Sequence, residues 1–474
     1  MRREHRGHPA PRLGRVALAA AVALLALGCA PRPARDVDVV IFLIDTLRAD
    51  RTGPYGRTPS PTPFLDELAT ESVVFEQAYS PAPWTLPSTV SLLTSKPLCR
   101  HGVTVDGETV APDLAPLAQR MRPLGWRTAS LFSNPFAGPM SGLDRGFEVS
   151  RLVARTDGDL VSLWLDAVGD QPFFLYVHNV EPHDPYDGAP DVAPPVQAQV
   201  NRLLDRHREL TRVDWLAGEP LGTTRNEAQQ DEVSAELAGL RIPVDALYDA
   251  DVERADALLA STVAELRARG RLDRTILVVV SDHGEEFGEH GGWQHDQSLY
   301  DELVRVPMLI RLPGAEHGGL RVAQPVSLLD VVPTLAELLG EPGLAEDTDG
   351  QSLVPLLAGG EGAEARVVST RWNRKKYYQP LEATRGNLNV AVREGPWKAI
   401  WNAASDTVEL YDLARDPRER RDRSASEPER AARLGALARE HAAPCLAARP
   451  GPAAPPDLDP ATRARLRELG YIEE

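Results

Sequence analysis

Two segments of the sequence place polar side chains directly behind apolar, strand-like runs. Asp45 follows the run at residues 37–44, and Asp282 and His283 follow a second such run after one serine. Ligands of open α/β sheets bind at the carboxyl ends of the strands, so we expect these three side chains to meet. Carboxylate oxygens and imidazole nitrogens are ligands of divalent metals. Singly, each is also explained as a cap or turn residue, but the dense charge of residues 281–290 favours a site.

Thr85 offers a hydroxyl group at the start of a helix that we predict over residues 86–93. The first turn of a helix has backbone N–H groups without partners, and the helix dipole adds positive charge there. Both features would stabilise an anionic group that is transferred to the hydroxyl. The alternative is that Thr85 only caps the helix, which is a common role of threonine at this position.

Strand-like and helix-like patterns alternate through most of the chain. Short runs of β-branched and apolar residues predict buried strands, and apolar residues at helical spacing predict helices. The alternation predicts an α/β fold with a large mixed, mostly parallel sheet sandwiched by helices. The predicted strands are 37–44, 73–75, 128–132, 173–177 and 276–280, and the predicted helices are 63–69, 86–93, 114–124 and 244–266.

Two stretches interrupt this alternation. Residues 188–242 are polar, with prolines near the start and helical patches but no clear strand, which predicts an insertion over the active face of a catalytic domain at 36–365. Residues 366–474 form a predicted small α+β C-terminal subdomain. Its predicted strands are 388–392, 397–401 and 407–411, and its predicted helix is 427–442.

The N-terminus has the pattern of a secretory signal peptide. Five arginines precede an apolar run at residues 16–27, and Gly28 and Cys29 follow it. The run is shorter than the roughly 18–20 residues that a membrane-spanning helix needs. We therefore predict a signal peptide over residues 1–29, with Cys29 at the position of a bacterial lipobox cysteine. This predicts a periplasmic or cell-surface protein that is lipid-anchored at Cys29, and the alternative is a plain signal peptide.

The chain is acidic, with a formal charge of −17 that becomes about −21 when the leader's five arginines and one glutamate are removed. Such a charge repels nucleic acid and predicts no nucleic-acid partner. An anionic substrate would need a local positive centre, such as a metal ion. Cys99 and Cys445 remain after Cys29, and they are either a disulfide or two buried free thiols.

A set of motifs in family order over nearly the whole mature chain resembles the sulfatase branch of the alkaline phosphatase superfamily. The motifs are DTLRAD at 45–50, TPFLDELA at 62–69, PWTLPSTVSLLT at 83–94, RHGV at 100–103, EPHDPY at 181–186, SDHGEEFGEH at 281–290, SLYDELVRVP at 298–307, DVVPT at 330–334, LYDL at 410–413 and LGYI at 469–472. The resemblance implies an alkaline phosphatase/sulfatase-like fold and an ester hydrolase that holds one divalent metal: Mn, Zn or Ca.

The resemblance also implies roles for individual residues. The implied metal ligands are Asp45, Thr85, Asp282 and His283, and Thr85 also lies where the family has its nucleophile. His183 matches a histidine that binds the anionic group or protonates the leaving group, and His295 lies where relatives often have a substrate-facing Lys or His. The implied substrate-binding residues are Arg48 and His101, although such motif residues more often build the site. His178 is predicted to be structural.

Three departures from the family pattern point away from a typical sulfatase. The nucleophile position of sulfatases is a Cys or Ser that is converted to formylglycine, whereas Thr85 is not a substrate for that conversion. Thr89 replaces the arginine that helps to hold the modified residue, and Thr46 replaces a second aspartate. We therefore expect no formylglycine and a resemblance to the Thr-nucleophile phosphodiesterases and phosphoglycerol transferases, which typically use Mn or Zn.

These observations together predict an exported metal-dependent hydrolase of phosphate or sulfate esters, with phosphate ranked slightly above sulfate. The expected substrate is a small-molecule, glycan or lipid ester, and the only expected membrane contact is the lipid anchor. One alternative is a phosphoglycerol- or phosphoethanolamine-type transferase, although such relatives usually carry several membrane spans. The other alternative is a non-catalytic binding protein with a sulfatase fold, against which the four implied metal ligands argue.

Overall fold

The computed structural model describes residues 36–104, 108–154, 158–211, 227–362, 366–372, 388–447 and 458–469. The predicted signal peptide and Cys29 lie outside these residues. Across the ranges that are described, no helix combines the length and the apolar character needed to cross a membrane.

The strands match the predicted ones closely, because long β-branched runs favour extended backbone. In chain order they are β1 (Asp38–Ile44), β2 (Val73–Phe75), β3 (Ala78–Tyr79), β4 (Arg127–Phe132), β5 (Val149–Leu152), β6 (Phe173–Asn179), β7 (Thr275–Val280), β8 (Glu286–Phe287), β9 (Trp293–Gln294), β10 (Arg305–Val306), β11 (Met308–Arg311), β12 (Arg321–Val322), β13 (Val326–Ser327), β14 (Arg366–Trp372), β15 (Leu388–Glu394), β16 (Trp397–Asn402) and β17 (Thr407–Asp412).

The α-helices are α1 (Pro63–Thr70), α2 (Thr85–Thr94), α3 (Leu98–His101), α4 (Leu117–Met121), α5 (Gly158–Val168), α6 (Pro194–Thr211), α7 (Glu227–Gly239), α8 (Arg241–Ala268), α9 (Asp301–Val304), α10 (Val331–Leu338), α11 (Val354–Leu357), α12 (Pro428–Ala447) and α13 (Pro460–Glu468). The helix predicted over 114–124 is instead the short α4 and a 3-10 turn, Arg122–Leu124. Proline explains the difference, because Pro123 has no N–H to continue the α-helical hydrogen bonding.

An eight-stranded sheet, in the order β12-β2-β11-β7-β1-β6-β4-β5, forms the centre of the larger part of the molecule. Strand β1 pairs in parallel with β6 on one side and with β7 on the other. Strand β11 is antiparallel to both of its neighbours. The carboxyl ends of β6, β1 and β7 therefore lie side by side at one edge, where the sequence places its polar side chains.

Helices cover both faces of this sheet, so β1 is buried on both sides. Its alternate residues enter two hydrophobic cores, Val39, Ile41 and Leu43 in one and Val40, Phe42 and Ile44 in the other. Helix α2 packs into the first core and the long α8 into the second. The predicted 188–242 insertion contains α6 and α7 and, among its described residues, no strand. These features confirm the predicted fold class.

A separate antiparallel sheet, β14-β15-β16-β17, forms the C-terminal subdomain with α12 packed against it. Cys99 in α3 and Cys445 in α12 form a disulfide with their Cα atoms 4.5 Å apart. Of the two alternatives for these cysteines, the structure has the disulfide, which joins the subdomain to the segment that follows α2. The exact domain limits at 36–365 and 366–474 stay predictions.

Candidate active site

Thr85 lies at the carboxyl edge of the central sheet, with its hydroxyl among three buried side chains. Thr85 Oγ1 is 3.4 and 3.5 Å from the two carboxylate oxygens of Asp45, and 3.3 Å from His283 Nε2. Asn134 Nδ2 is 3.4 Å from the same hydroxyl oxygen. Thr85 is the first residue of α2, and Trp84 occupies the cap position, so the hydroxyl does not cap the helix.

The surrounding elements fix these side chains firmly. The backbone N–H of Asp45 donates to the carbonyl of Asn179, which extends the pairing of β1 with β6 beyond the strand end. One turn into α2, Ser88 donates to the carbonyl of Asp282 over 2.7 Å. This bond ties the helix start to the loop after β7. Hydrogen bonds of the sheet edge and of α2 therefore hold Asp45, Thr85 and Asp282 in position.

In both His283 and Asp282, one polar atom of the side chain is hydrogen-bonded to the backbone and the other faces the cluster. His283 Nδ1–H donates to the carbonyl of Gly284 over 2.8 Å, and Nε2 faces Asp45, whose nearer oxygen is 3.3 Å away. Asp282 Oδ1 accepts from the backbone N–H groups of His283 and Thr46. Asp282 Oδ2 is buried, has no hydrogen-bond partner among the described residues, and lies 3.7 Å from His283 Nε2.

Two residues that were not predicted as site residues complete the group. Asn134 Nδ2 is 3.2 Å from Asp45 Oδ2, and its amide is oriented by a bond from Phe136 N–H to Asn134 Oδ1. His178, predicted to be structural, has Nε2 3.6 Å from Asp45 Oδ2. We call Asp45, Thr85, Asn134, His178, Asp282 and His283 the Thr85 cluster.

The electrostatics of the Thr85 cluster are those of charges crowded in a buried space. Burial and the Asp45 charge raise the pKa of Asp282 to about 8. Burial also opposes ionisation of Asp45, but the hydrogen bond from His283 and the charges of His178 and His183 hold its pKa below the usual range. The carboxylates of Asp45 and Asp282 have oxygen atoms within 4.8 Å of each other. Both can be anions at once only when positive charge lies beside them.

The donor set fits a divalent cation. Ligand atoms of Asp45, His178 and Asp282 all lie within 4.8 Å of one another. Most contacts in the cluster are 3.3–3.7 Å long, beyond the usual hydrogen-bond range of about 2.7–3.2 Å, as expected of groups that face a shared centre. Carboxylate oxygen, imidazole nitrogen and hydroxyl oxygen are together suitable for a transition-metal dication or Zn.

His183 and His295 adjoin the cluster through His283. The His295 ring centroid is 4.7 Å from that of His283 and 5.0 Å from that of His183. His183 Nδ1–H donates to the carbonyl of Asp184, and His295 Nδ1–H donates to Glu285 over 3.2 Å. Burial lowers the pKa of both imidazoles well below the ordinary value. Both histidines therefore lie beside the Thr85 cluster, next to His283.

Arg48, one of the two predicted substrate-binding residues, is held by protein groups. Its guanidinium pairs with Asp50 at 2.9 Å and Glu289 at 2.8 Å, and it donates to the Glu285 carbonyl at 2.9 Å. Arg241 also pairs with Glu289, at 2.9 Å. We call Arg48, Asp50, Arg241 and Glu289 the Arg48 network.

His101 is held in the same way. Its Nε2 pairs with Ser91 Oγ at 3.1 Å, and its Nδ1 accepts from Val103 N–H at 3.0 Å. Its contacts are therefore with α2 and the loop after α3. Substrate contact by Arg48 or His101 stays a prediction.

Sequence comparison identifies sulfatases as relatives of this chain. The chain matches the family described as Sulfatase over residues 38–148 and 152–341, and the family described as N-sulphoglucosamine sulphohydrolase, C-terminal, over residues 288–434. It is 25% identical to choline-sulfatase of Rhizobium meliloti over 443 residues, which cover 81% of each chain. It is 33% identical to arylsulfatase K of Bos taurus over 192 residues, which cover 39% of this chain but only 34% of that protein.

Solved structures share the fold. The phosphonate monoester hydrolase of Agrobacterium radiobacter superposes with a TM-score of 0.63 at 19% identity, over 86% of this chain and 95% of that one. At this identity the likeness establishes the architecture alone. The match to the family described as Sulfatase, by contrast, covers more than half of the chain.

Proposed function

The chain belongs to the sulfatase family of ester hydrolases, and we propose that it is an exported, metal-dependent hydrolase of phosphate or sulfate esters with Thr85 as its nucleophile. One observation carries the proposal: the Thr85 hydroxyl lies within 3.5 Å of both Asp45 oxygens and of His283 Nε2. A buried threonine at a helix start with these neighbours has no evident structural use for its hydroxyl.

In this proposal Asp45, Asp282, His283 and the Thr85 hydroxyl hold the divalent cation. The cation, when bound, lowers the pKa of a hydroxyl or water and offsets negative charge on the transferring group. Asp282 Oδ2, which is buried and has no hydrogen-bond partner in the ranges that the structure describes, supports this assignment, as do the long contacts within the cluster. The sheet edge and α2 hold the ligands in position before substrate arrives, so little is reorganised on binding.

The remaining residues have complementary roles in the proposed reaction. The Thr85 oxygen attacks phosphorus or sulfur in line, forming a threonine ester as the bond to the leaving oxygen breaks. Nε2 of His183 or His295 takes up the proton that the Thr85 hydroxyl loses and passes it to that leaving oxygen. Asn134 Nδ2 and the N–H groups of the first turn of α2 donate to the non-bridging oxygens. Water then cleaves the threonine ester and releases phosphate, sulfate or a monoester.

We rank phosphate esters slightly above sulfate esters, although choline-sulfatase and arylsulfatase K are named for sulfate esters. Thr85 cannot become formylglycine, and the helix position that would hold a modified residue is Thr89. Its hydroxyl donates to the carbonyl of Thr85 at 2.8 Å instead. A free threonine hydroxyl gives a stable ester, so turnover depends on an activated water in the second step.

The test is turnover by the purified full chain with added Mn, on an aryl phosphate, a bis-aryl phosphate and an aryl sulfate. Thr85→Ala should lower the rate at least roughly 10³-fold on every substrate that the wild type turns over, because the nucleophile is gone. Thr94→Ala is the matched control, since Thr94 is a buried threonine at the other end of α2. Full activity in Thr85→Ala would remove Thr85 from the mechanism, and faster turnover of sulfate than of phosphate would reverse the ranking.

Export and lipid anchoring at Cys29 are a separate part of the proposal. The Cys99–Cys445 disulfide supports it, because disulfides persist in oxidising compartments. We expect wild-type protein made in a bacterial host to partition into the membrane fraction and the Cys29→Ser variant to lose its lipid. Mass spectrometry of the mature N-terminus measures this. An unlipidated wild-type protein that is cleaved elsewhere would leave only the plain signal peptide.

A further inference from the structure

We propose that His178 binds the cation directly through Nε2, so that the site contains two carboxylates and two imidazoles. This inference rests on the metal dependence that the proposed function assumes. It adds a ligand that the family motifs do not contain, and it follows from where strand β6 ends beside β1.

The sheet register brings His178 to the cluster. His178 lies opposite Leu43 in the parallel pairing of β6 with β1. Leu43 comes two residues before Asp45 in the sequence. Its Nε2 is 3.6 Å from Asp45 Oδ2. His283 Nε2 lies 3.3 Å from the other oxygen of the same carboxylate. Each Asp45 oxygen therefore has one imidazole nitrogen beside it.

The distances suit shared coordination better than direct bonding. A length of 3.6 Å between His178 Nε2 and Asp45 Oδ2 is beyond a hydrogen bond. Ligands of a transition metal stand about 2.0–2.2 Å from the ion, which separates neighbouring ligand atoms by roughly 3–4.4 Å. The atoms of Asp45, His178 and Asp282, all within 4.8 Å of one another, approach this separation before any adjustment of side chains.

The burial of His178 supports its role as a ligand independently of the distances. The His178 side chain is 0% exposed, and neither of its ring nitrogens has a hydrogen-bond partner among the described residues. A buried polar group without a partner has lost its hydrogen bonds to water and destabilises the folded protein. His101, also buried, has both nitrogens bonded, and among the described residues His178 alone has both ring nitrogens buried without a partner. A bound cation would satisfy His178 Nε2 and Asp282 Oδ2 at once.

The proposed ligand set also determines which cation is preferred. Two carboxylates and two neutral imidazoles balance the charge of a dication. Imidazole nitrogen suits transition metals such as Co and Zn, whereas Ca favours six to eight oxygen ligands. Removing one imidazole should therefore weaken the binding of transition metals more than that of Ca. Selectivity gives a readout that does not depend on turnover.

The experiment uses the full chain, stripped of metal and reloaded with Mn or Co. Pulsed electron paramagnetic resonance of the Mn form counts the coordinated imidazole nitrogens, and absorption of the Co form follows the same change. We expect two imidazoles in wild type, one in His178→Asn, one in His283→Asn and none in the double variant. His441→Asn is the control, because His441 is a largely buried histidine of α12, outside the cluster. We expect His178→Asn to lower Mn affinity at least roughly 10-fold and the Mn-over-Ca preference by a similar factor.

A single coordinated imidazole in wild type overturns the inference, and this result needs no variant to fold. Two imidazoles that persist in a folded His178→Asn protein overturn it as well. If metal binds stoichiometrically and Thr85→Ala is inactive while either result is seen, the proposed function stands and only the role of His178 fails. If wild type binds no metal, both fail.

Discussion

The Thr85 cluster and the Arg48 network share two stretches of sequence but have opposite chemistry. Residues 45–50 supply Asp45 to the cluster and Arg48 to the network, and residues 281–290 supply His283 to one and Glu289 to the other. The network's charges pair at 2.8–2.9 Å. The cluster's groups stand 3.2–3.7 Å apart, and within the described part of the chain Asp282 and His178 have atoms without hydrogen-bond partners. Saturated contacts indicate a structural role, and converging unsaturated ones indicate a ligand site.

Removing a carboxylate from the Thr85 cluster should produce the largest effect of all. Asp282→Asn keeps an oxygen that accepts from the N–H groups of His283 and Thr46 but loses the anion that would face the cation. We expect stoichiometric metal to be lost and turnover to fall at least roughly 10³-fold. Because burial and Asp45 raise the pKa of Asp282 to about 8, the metal-free variant should unfold no more easily than metal-free wild type. Metal analysis and thermal unfolding with a chelator measure both.

A buried aspartate elsewhere is the control for that prediction. Asp256 accepts from the N–H groups of Phe64 and Leu65 at the start of α1, at 2.8 Å each. Asp256→Asn should retain stoichiometric metal and turnover. Equal metal binding by Asp282→Asn and Asp256→Asn would contradict the distinction between a ligand site in the cluster and a structural role for the network.

Breaking the Arg48 network should affect stability rather than chemistry. Among the described residues, Arg48→Met leaves Glu289 with Arg241 as its one charged partner, and it removes a cation that stands over the Phe287 ring. Loss of one partner from a buried ion pair costs about 3–5 kcal/mol, and the lower end applies because Asp50 is well exposed. Urea unfolding measures the change.

Arg206→Gln is the matched control for Arg48→Met. Arg206 pairs with Glu209 on the surface of α6, and both side chains are about half exposed. Its replacement should change stability by about 0–1 kcal/mol. A raised KM in Arg48→Met, with stability unchanged, would instead support the predicted substrate contact and contradict a purely structural network.

Much of the Thr85 cluster followed from one rule, that polar residues just behind buried strands meet at a sheet edge. The rule brought Asp45, Asp282 and His283 together. It applies equally to His178, directly behind predicted strand 173–177, and to Asn134, two residues behind 128–132. The family motifs did not indicate either residue, because neither belongs to a motif. Strand order was the missing information, since only a β6 adjacent to β1 brings His178 to Asp45.

The Arg48 network and the disulfide were beyond prediction for a different reason. The partners of Arg48 lie two residues away at Asp50 and 241 residues away at Glu289, and many acids in this acidic chain were equal candidates. Cys99 and Cys445 are 346 residues apart, so their distance depends on how the C-terminal subdomain docks. Local patterns determine elements, whereas pairing between distant side chains depends on packing that no local pattern contains.

His101 provides the smallest and sharpest test of the contrast. Both of its nitrogens are bonded, to Ser91 and Val103, which places it with the saturated groups. Burial lowers its pKa from 6.5 to about 3, so the unfolded chain binds a proton more readily than the folded one. The neutral imidazole therefore contributes its full stability above pH 6.5, and that contribution falls as the pH falls from 6.5 toward 3.

The comparison of wild type with His101→Asn isolates this contribution from the chain's other titrating groups. The difference in unfolding free energy should be constant above about pH 7 and shrink below 6.5 by up to roughly 1.4 kcal/mol per pH unit. Urea unfolding at pH 5 to 8 measures it. A flat difference over this range, together with a raised KM in the variant, would mean that His101 faces substrate and that bonded nitrogens do not distinguish structural histidines from functional ones.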